Sequence, residues 1–210
     1  MSHYALLVLG ENIEEQLAPF DENKEVPVYV KATREQLIHE SREHYKKYNE
    51  NTYAKYLADP VAYALDCKNP SHLNYLENEF PKKLLFTEEE IYQEVLAGLE
   101  PEEIGAHGEQ LSTYNPLSKW DWWVVGGRWE NRLIKKDGTG VNSTTLDELD
   151  LEQYSTFAII KNGIWYQRGE MGWWGFVSDE KEQELWKDQW KSLLADVEPN
   201  TLVTIIDCHI

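Results

Sequence analysis

Tyr4-Ala-Leu-Leu-Val-Leu9 and Leu202-Val-Thr-Ile-Ile206 stand near the two ends of a 210-residue chain, and their reading decides the fold. The first is a short unbroken apolar run, the pattern of a strand buried on both faces, and the second reads as the closing strand. Gly10 stops the first, and Pro199-Asn200 turns the chain into the second. Working inward, Thr33-Arg-Glu-Gln36 is a capping box, and Leu37, Ile38, Tyr45 and Tyr48 follow it, which predicts a helix over 34–49. Phe157-Ala-Ile-Ile160 and Ile164-Trp-Tyr166 flank Asn162-Gly163, the pair that supplies both positive φ angles of a type I′ hairpin turn. Trp186, Trp190, Leu193, Leu194 and Val197 recur at helical spacing, predicting an amphipathic helix that begins near Ser178-Asp179.

In order these elements read strand, helix, strand, strand pair, helix, strand. That is close to the βαββαβ order of an α+β ferredoxin-like sandwich, which would set the first and last strands antiparallel and the helices on one sheet face. Residues 51–100 carry Tyr53, Tyr56, Leu57, Val61, Tyr63 and Leu65 near helical spacing, with Pro60 among them. A second capping box, Thr87-Glu-Glu-Glu90, opens a helix that Gly98 can end. This stretch reads as a helical insertion within one α+β domain spanning 1–210, since fewer than about 50 residues rarely bury a core of their own.

Composition bounds the function. Hydrophobic residues make up 41% of the chain and aromatics 12%, with 12 Gly and 8 Pro, so bulk disorder and collagen-like repeats are excluded. There are 38 acidic and 20 basic side chains, a formal net charge of −18. Such a charge repels phosphate backbones, which argues against direct nucleic-acid binding. No apolar run is long enough to span a bilayer, and the N-terminus lacks the basic region of a signal peptide, so a membrane partner is not expected. With only Cys67 and Cys208, a reducing cytoplasm is the expected compartment.

Tryptophan is the outlier, at nine residues. Trp120-Asp121-Trp122-Trp123 leads through Val124 and Val125 into Gly126-Gly127-Arg128-Trp129, and Arg168 precedes Trp173 and Trp174 in a second block. Strand alternation would put Trp120 and Trp122 on one face. Two glycines let a ligand approach the backbone, and an arginine fork suits phosphate or carboxylate. Trp120, Asp121, Trp122, Gly126, Gly127, Arg128, Trp129, Arg168, Trp173 and Trp174 therefore form the candidate ligand site. Tryptophans would stack on a ring, arginines would meet its charge, and Asp121 would accept hydrogen bonds. The plainer alternative is that the tryptophans fill the core and the arginines pair with acids such as Glu130 or Glu170.

Asp207-Cys208-His209 is a second constellation. Asp207 and His209 share a strand face, and antiparallel pairing would bring His3 beside them, a donor set that can hold zinc. Because Cys208 points the other way, a local Cys/His/Asp triad is geometrically poor. No metal or cofactor is assigned. Walker-type glycine loops, Gly-x-Ser-x-Gly, His-Glu-x-x-His and Cys-x-x-Cys are all absent, so the familiar enzyme classes lose support.

The opening HYALLVLGENIEEQLAPFDEN, the block WDWWVVGGRW and the ending VTIIDCHI together resemble a family of uncharacterised bacteriophage and prophage proteins. That resemblance implies a soluble protein of the host bacterial cytoplasm that interferes with host machinery or immune signalling, and it carries no catalytic assignment. The leading expectation is a non-catalytic protein that sequesters a nucleotide-like anionic small molecule through the Trp/Gly/Arg elements. Two alternatives stand beside it. One is an acidic charge mimic that binds a basic nucleic-acid-handling host protein; the other is a small metal-dependent enzyme.

Overall fold

The computed structural model describes residues 2–172 and 176–210. The chain divides into two compact units, one formed by residues 1–26 with 114–210 and the other by residues 27–113.

The first unit is built on a six-stranded mixed sheet. Its strands are β1 (His3–Leu9), β2 (Trp122–Val125), β3 (Ser143–Thr145), β4 (Ala158–Lys161), β5 (Ile164–Gln167) and β6 (Leu202–His209). They lie in the order β2-β6-β1-β4-β5, with β3 also pairing β6. The outermost segments of the chain are thus the middle of the sheet. As the order of elements predicts, β1 and β6 pair antiparallel, His3 opposite His209 and Leu9 opposite Val203.

The α+β class holds, but the strand order departs from a ferredoxin-like sandwich. That arrangement would set the second hairpin strand, β5, antiparallel beside β1. Instead the first, β4, lies parallel to β1, with Leu6 opposite Ala158 and Val8 opposite Ile160. Burial explains the exchange. Ala158, Ile159 and Ile160 are all fully buried and suit an interior strand, whereas β5 begins with exposed Ile164 and suits an edge. The turn between them is as expected, with Asn162 at φ 53° and Gly163 at φ 73°.

Both sheet faces are covered, not one. Ala5, Leu7, Leu9, Ile159, Val203 and Ile205 face helix α2 (Gln183–Leu194), which inserts Trp186, Trp190 and Leu194. The alternate residues, Tyr4, Leu6, Val8, Ile160, Ile206 and Cys208, pack against Leu17 of the short helix α1 (Ile13–Leu17), Phe20 and Trp120. Helix α2 starts later than predicted. Ser178 is spent on a two-stranded pair with Glu170, and Asp179 takes φ 49°, so the first helical residue is Gln183.

In the second unit both capping boxes form. Thr33 caps Arg34–Tyr48 and Thr87 caps Glu88–Leu96, each with the reciprocal bond from the third residue. Ala32, Leu37, Ile38, Ile91 and Tyr92 make its apolar cluster. Phe80 sits among the rings of Tyr48, Tyr53 and Tyr75. The helical pattern breaks at Pro60: one helix, Ala54–Ala58, ends before it, and Pro60 opens the next, Pro60–Asp66, with Asp59 as its cap. The antiparallel pair Tyr29–Ala32 and Gln110–Ser112 joins the ends of the segment, which contains the stretch 51–100. Among the described residues no helix is long and apolar enough to cross a membrane.

Candidate functional site

The face of the sheet that carries α2 changes character at one end. Register sets Asp207 opposite Ala5, His209 opposite His3, and Trp122 opposite His209. His3, Asp207, His209 and Trp122 therefore continue the odd-numbered face of β1 past its apolar part.

Two histidine–carboxylate pairs form there. His3 Nδ1 lies 2.9 Å from Asp207 Oδ1, and His209 Nδ1 lies 2.6 Å from Asp121 Oδ1. An ionised carboxylate only accepts, so each Nδ1 carries the proton and each Nε2 is the nitrogen left over. The rings touch, with His3 and His209 centroids 4.9 Å apart. Trp122 stacks on His209 at 5.2 Å and meets His3 edge-on at 5.4 Å. His209 Nε2 is buried without a partner.

The glycine bend holds this arrangement. Asp207 is 2% exposed, and its Oδ2 accepts the backbone N–H of Arg128 at 2.8 Å. Gly127 takes φ 53°, and a Cβ there would stand 2.4 Å from Asp207 Oδ2. The close approach expected of this glycine is thus made by a carboxylate of the protein itself. The short turn Gly127–Trp129 then delivers Trp129 to the neighbouring surface.

Trp129, Tyr154, Arg168 and His3 line one cleft of about 350 Å³, with Glu152 and Lys187 also on its wall. Burial pushes the Tyr154 hydroxyl above its usual titration range. Lys187 and Lys191 lie 3.5 and 2.5 Å from Glu152, and Lys191 holds that carboxyl below the ordinary glutamate range. Arg168 follows β5, binds Glu180 through Nη2 at 2.6 Å and stands 5.4 Å over the Phe157 ring. Trp129 and Arg168, both on the cleft wall, each carry a buried side-chain N–H with no hydrogen-bond partner among the described residues, Nε1 and Nε respectively. A buried donor left unpaired costs about 1–3 kcal/mol, so native proteins seldom leave one without a reason.

The ten residues singled out from sequence do not share one fate. Asp121, Trp122, Gly126, Gly127 and the Arg128 backbone belong to the histidine cluster and its bend, while Trp129 and Arg168 meet in the cleft. Trp120 does not share a face with Trp122. Regular alternation starts only at Trp122, and Trp120 bridges Asp21 and buries its ring in the opposite layer, donating to Leu17 O at 3.2 Å. The Arg128 side chain is exposed and does not line this cleft. Trp173 and Trp174 lie outside the described residues.

The alternative pairing scheme changes partners: Arg168 binds Glu180, and Glu170 binds Lys119 at 3.1 Å. His3, Asp207 and His209 converge as antiparallel pairing predicts. Among the described residues, however, no group of three or more His, Cys, Asp or Glu is arranged to hold a metal ion. Cys208 points away from both neighbours, and burial drives its thiol far above the usual range, which disfavours the thiolate a nucleophile needs. Tyr154, Glu152 and Lys187 were not singled out. They come from a loop and a helix that only tertiary packing brings to Trp129, and local spacing carries no sign of that. His3 was accessible to sequence reasoning through the pairing of the first and last strands. Compared with family models, with curated proteins and with solved structures, the chain gives no match.

Proposed function

We propose that the cleft beside His3 binds a small aromatic anion of mononucleotide size. One observation carries this reading: two residues of the same cleft wall, Trp129 and Arg168, each hold a buried N–H with no partner among the described residues, Nε1 and Nε. An acceptor group reaching them removes a standing desolvation cost, which makes that part of the binding energy unusually effective. Both side chains are only partly buried, so a modest rotation brings the donors to a ligand. The Trp129 and Tyr154 rings supply stacking surface, worth about 1–3 kcal/mol per base. The volume of about 350 Å³ stands at the lower end of the roughly 300–1,000 Å³ typical of ligand sites. It accommodates one ring system with one anionic group better than a dinucleotide. In a phage setting, such a protein would act by withdrawing a host nucleotide in the bacterial cytoplasm.

A thermal-shift panel of mononucleotides, cyclic dinucleotides and dinucleotide cofactors tests the reading. A ligand at a hundred times its dissociation constant adds about 2.7 kcal/mol, which raises the midpoint by roughly 5–10 °C. Arg168→Ala removes that shift while the unliganded protein still melts cooperatively. A flat panel, or a shift that survives Arg168→Ala, overturns the assignment.

A further inference from the structure

Arg168 does not offer the cleft its whole guanidinium fork. Glu180 occupies Nη2 at 2.6 Å, and Nε is buried with no partner among the described residues. A planar carboxylate is gripped best by two parallel N–H groups of one arginine, and that grip is partly taken. The remaining donors come singly from separate elements: Trp129 Nε1 from the glycine bend, Arg168 Nε from the end of β5, and His3 from β1. Single donors from several directions suit the tetrahedrally disposed oxygens of a phosphate better than the two in-plane oxygens of a carboxylate.

His3 is the unusual member. Its Nδ1 is turned to Asp207, which the Arg128 backbone N–H fixes in place, so Nε2 is the only ring nitrogen it has for the cleft it lines. Neutral, that nitrogen is an acceptor and opposes an anion's oxygen. Protonated, it becomes a third donor, and Asp207 steadies the imidazolium from behind. Resting on the reading that the cleft binds an aromatic anion, we propose that its ligand is a phosphate ester and that binding takes up a proton at His3.

The groups around His3 leave little else to respond near neutrality. Asp207 and His209 touch it, Asp121 stands behind His209, and Tyr4, Glu152, Tyr154, Arg168 and Lys187 share the cleft. Burial pushes Tyr4 and Tyr154 up, and Lys191 holds Glu152 down, so none of those three changes charge between pH 5 and 8. His209 is the other imidazole within reach and serves as the control.

Calorimetric titration with 3′,5′-cyclic AMP decides the matter, because its phosphodiester keeps one charge throughout this range. Affinity rises as pH falls from 8 to 6, by up to about tenfold per pH unit, and heats in two buffers of different ionisation enthalpy report uptake of a fraction of one proton. His3→Gln keeps a neutral donor and so binds with no pH dependence, while His209→Gln keeps the dependence. Adenosine-5′-carboxylate, a planar anion on the same ring system, binds at least tenfold more weakly. Binding without proton uptake, or pH dependence that persists in His3→Gln, overturns the role of His3 and leaves the binding reading standing. Equal binding of the carboxylate overturns the phosphate assignment. No heat from either probe at any pH removes the binding reading itself.

Discussion

Two sets of tryptophans stand on the same face of one sheet, and they have opposite bonding. Under α2, Trp186 and Trp190 are 1% and 0% exposed, and both indole N–H groups are satisfied at Thr156. Trp186 donates to its carbonyl at 2.7 Å and Trp190 to its hydroxyl at 3.0 Å. Thr156 in turn donates to the carbonyl of Ala158, so both indole N–H groups and the hydroxyl between them have partners. In the cleft, Trp129 is partly exposed and its indole N–H is buried without a partner. Residue type is the same in both places. The state of the polar handle, not the size of the ring, separates a tryptophan that builds from one that waits for something.

The strongest way to break that contrast is at the covered end. Trp190→Ala removes a fully buried indole together with the N–H that the Thr156 hydroxyl accepts, which costs about 3–5 kcal/mol. At this size each kcal/mol moves the midpoint by roughly 2–4 °C, so a fall of about 6–20 °C is expected by calorimetry. A loss of only a degree or two would mean that α2 is not what holds this sheet face together.

The opposite sheet face gives a smaller and pH-dependent effect. Cys208 and Tyr4 lie there side by side, and burial raises the titration of both. An unfolded thiol ionises near the ordinary value of 9.0 while the folded one resists. Above that pH the folded state therefore holds more protons than the unfolded state, and stability falls as pH rises. Below it the contribution is complete and the curve is flat. Urea midpoints measured from pH 7 to 10.5 should decline only above about pH 9, and Cys208→Ala should make the decline shallower. Thiol reagents at pH 8 should then label Cys67 alone until the protein unfolds. Rapid labelling of Cys208 would show that the core opens far more readily than its burial implies.

What the sequence could and could not convey follows the range of the forces involved. Caps and the Asn-Gly hairpin turn depend on neighbours within four residues, and Thr33, Thr87 and Asn162-Gly163 do what their local chemistry dictates. The central position of β1 was readable because an unbroken apolar run has nowhere else to go, and its pairing with β6 followed from the order of elements. The exchange of β4 and β5 was not, since hairpin chemistry is indifferent to which strand faces inward. Trp120 was misplaced for a related reason. The period of two holds only inside a regular strand, and the bridge to Asp21 falls just before one begins. Of the candidate site, the meeting of His3, Asp207 and His209 was accessible from strand pairing alone. The cleft was not, because Tyr154 and Lys187 reach it through tertiary packing.

The finest test of the contrast sets Trp129→Phe against Arg128→Ala. Arg128 looked from sequence like the principal anion contact, yet only its backbone N–H is engaged, at Asp207, and its side chain is exposed. Removing that side chain leaves the backbone bond intact, so Arg128→Ala should change neither the melting midpoint nor ligand affinity by more than about 0.5 kcal/mol. Trp129→Phe keeps an aromatic ring but deletes the unpaired donor. In the free protein this relieves a desolvation cost, so stability should be unchanged or raised by up to about 1 kcal/mol. In the complex the acceptor that the indole would have met is left wanting, and affinity should fall about tenfold, or about 1.4 kcal/mol. A variant that is more stable yet binds less is the signature of a donor kept for a ligand. If Trp129→Phe instead destabilises the free protein as Trp190→Ala does, the two tryptophans are alike, and the contrast between the two ends of the sheet disappears.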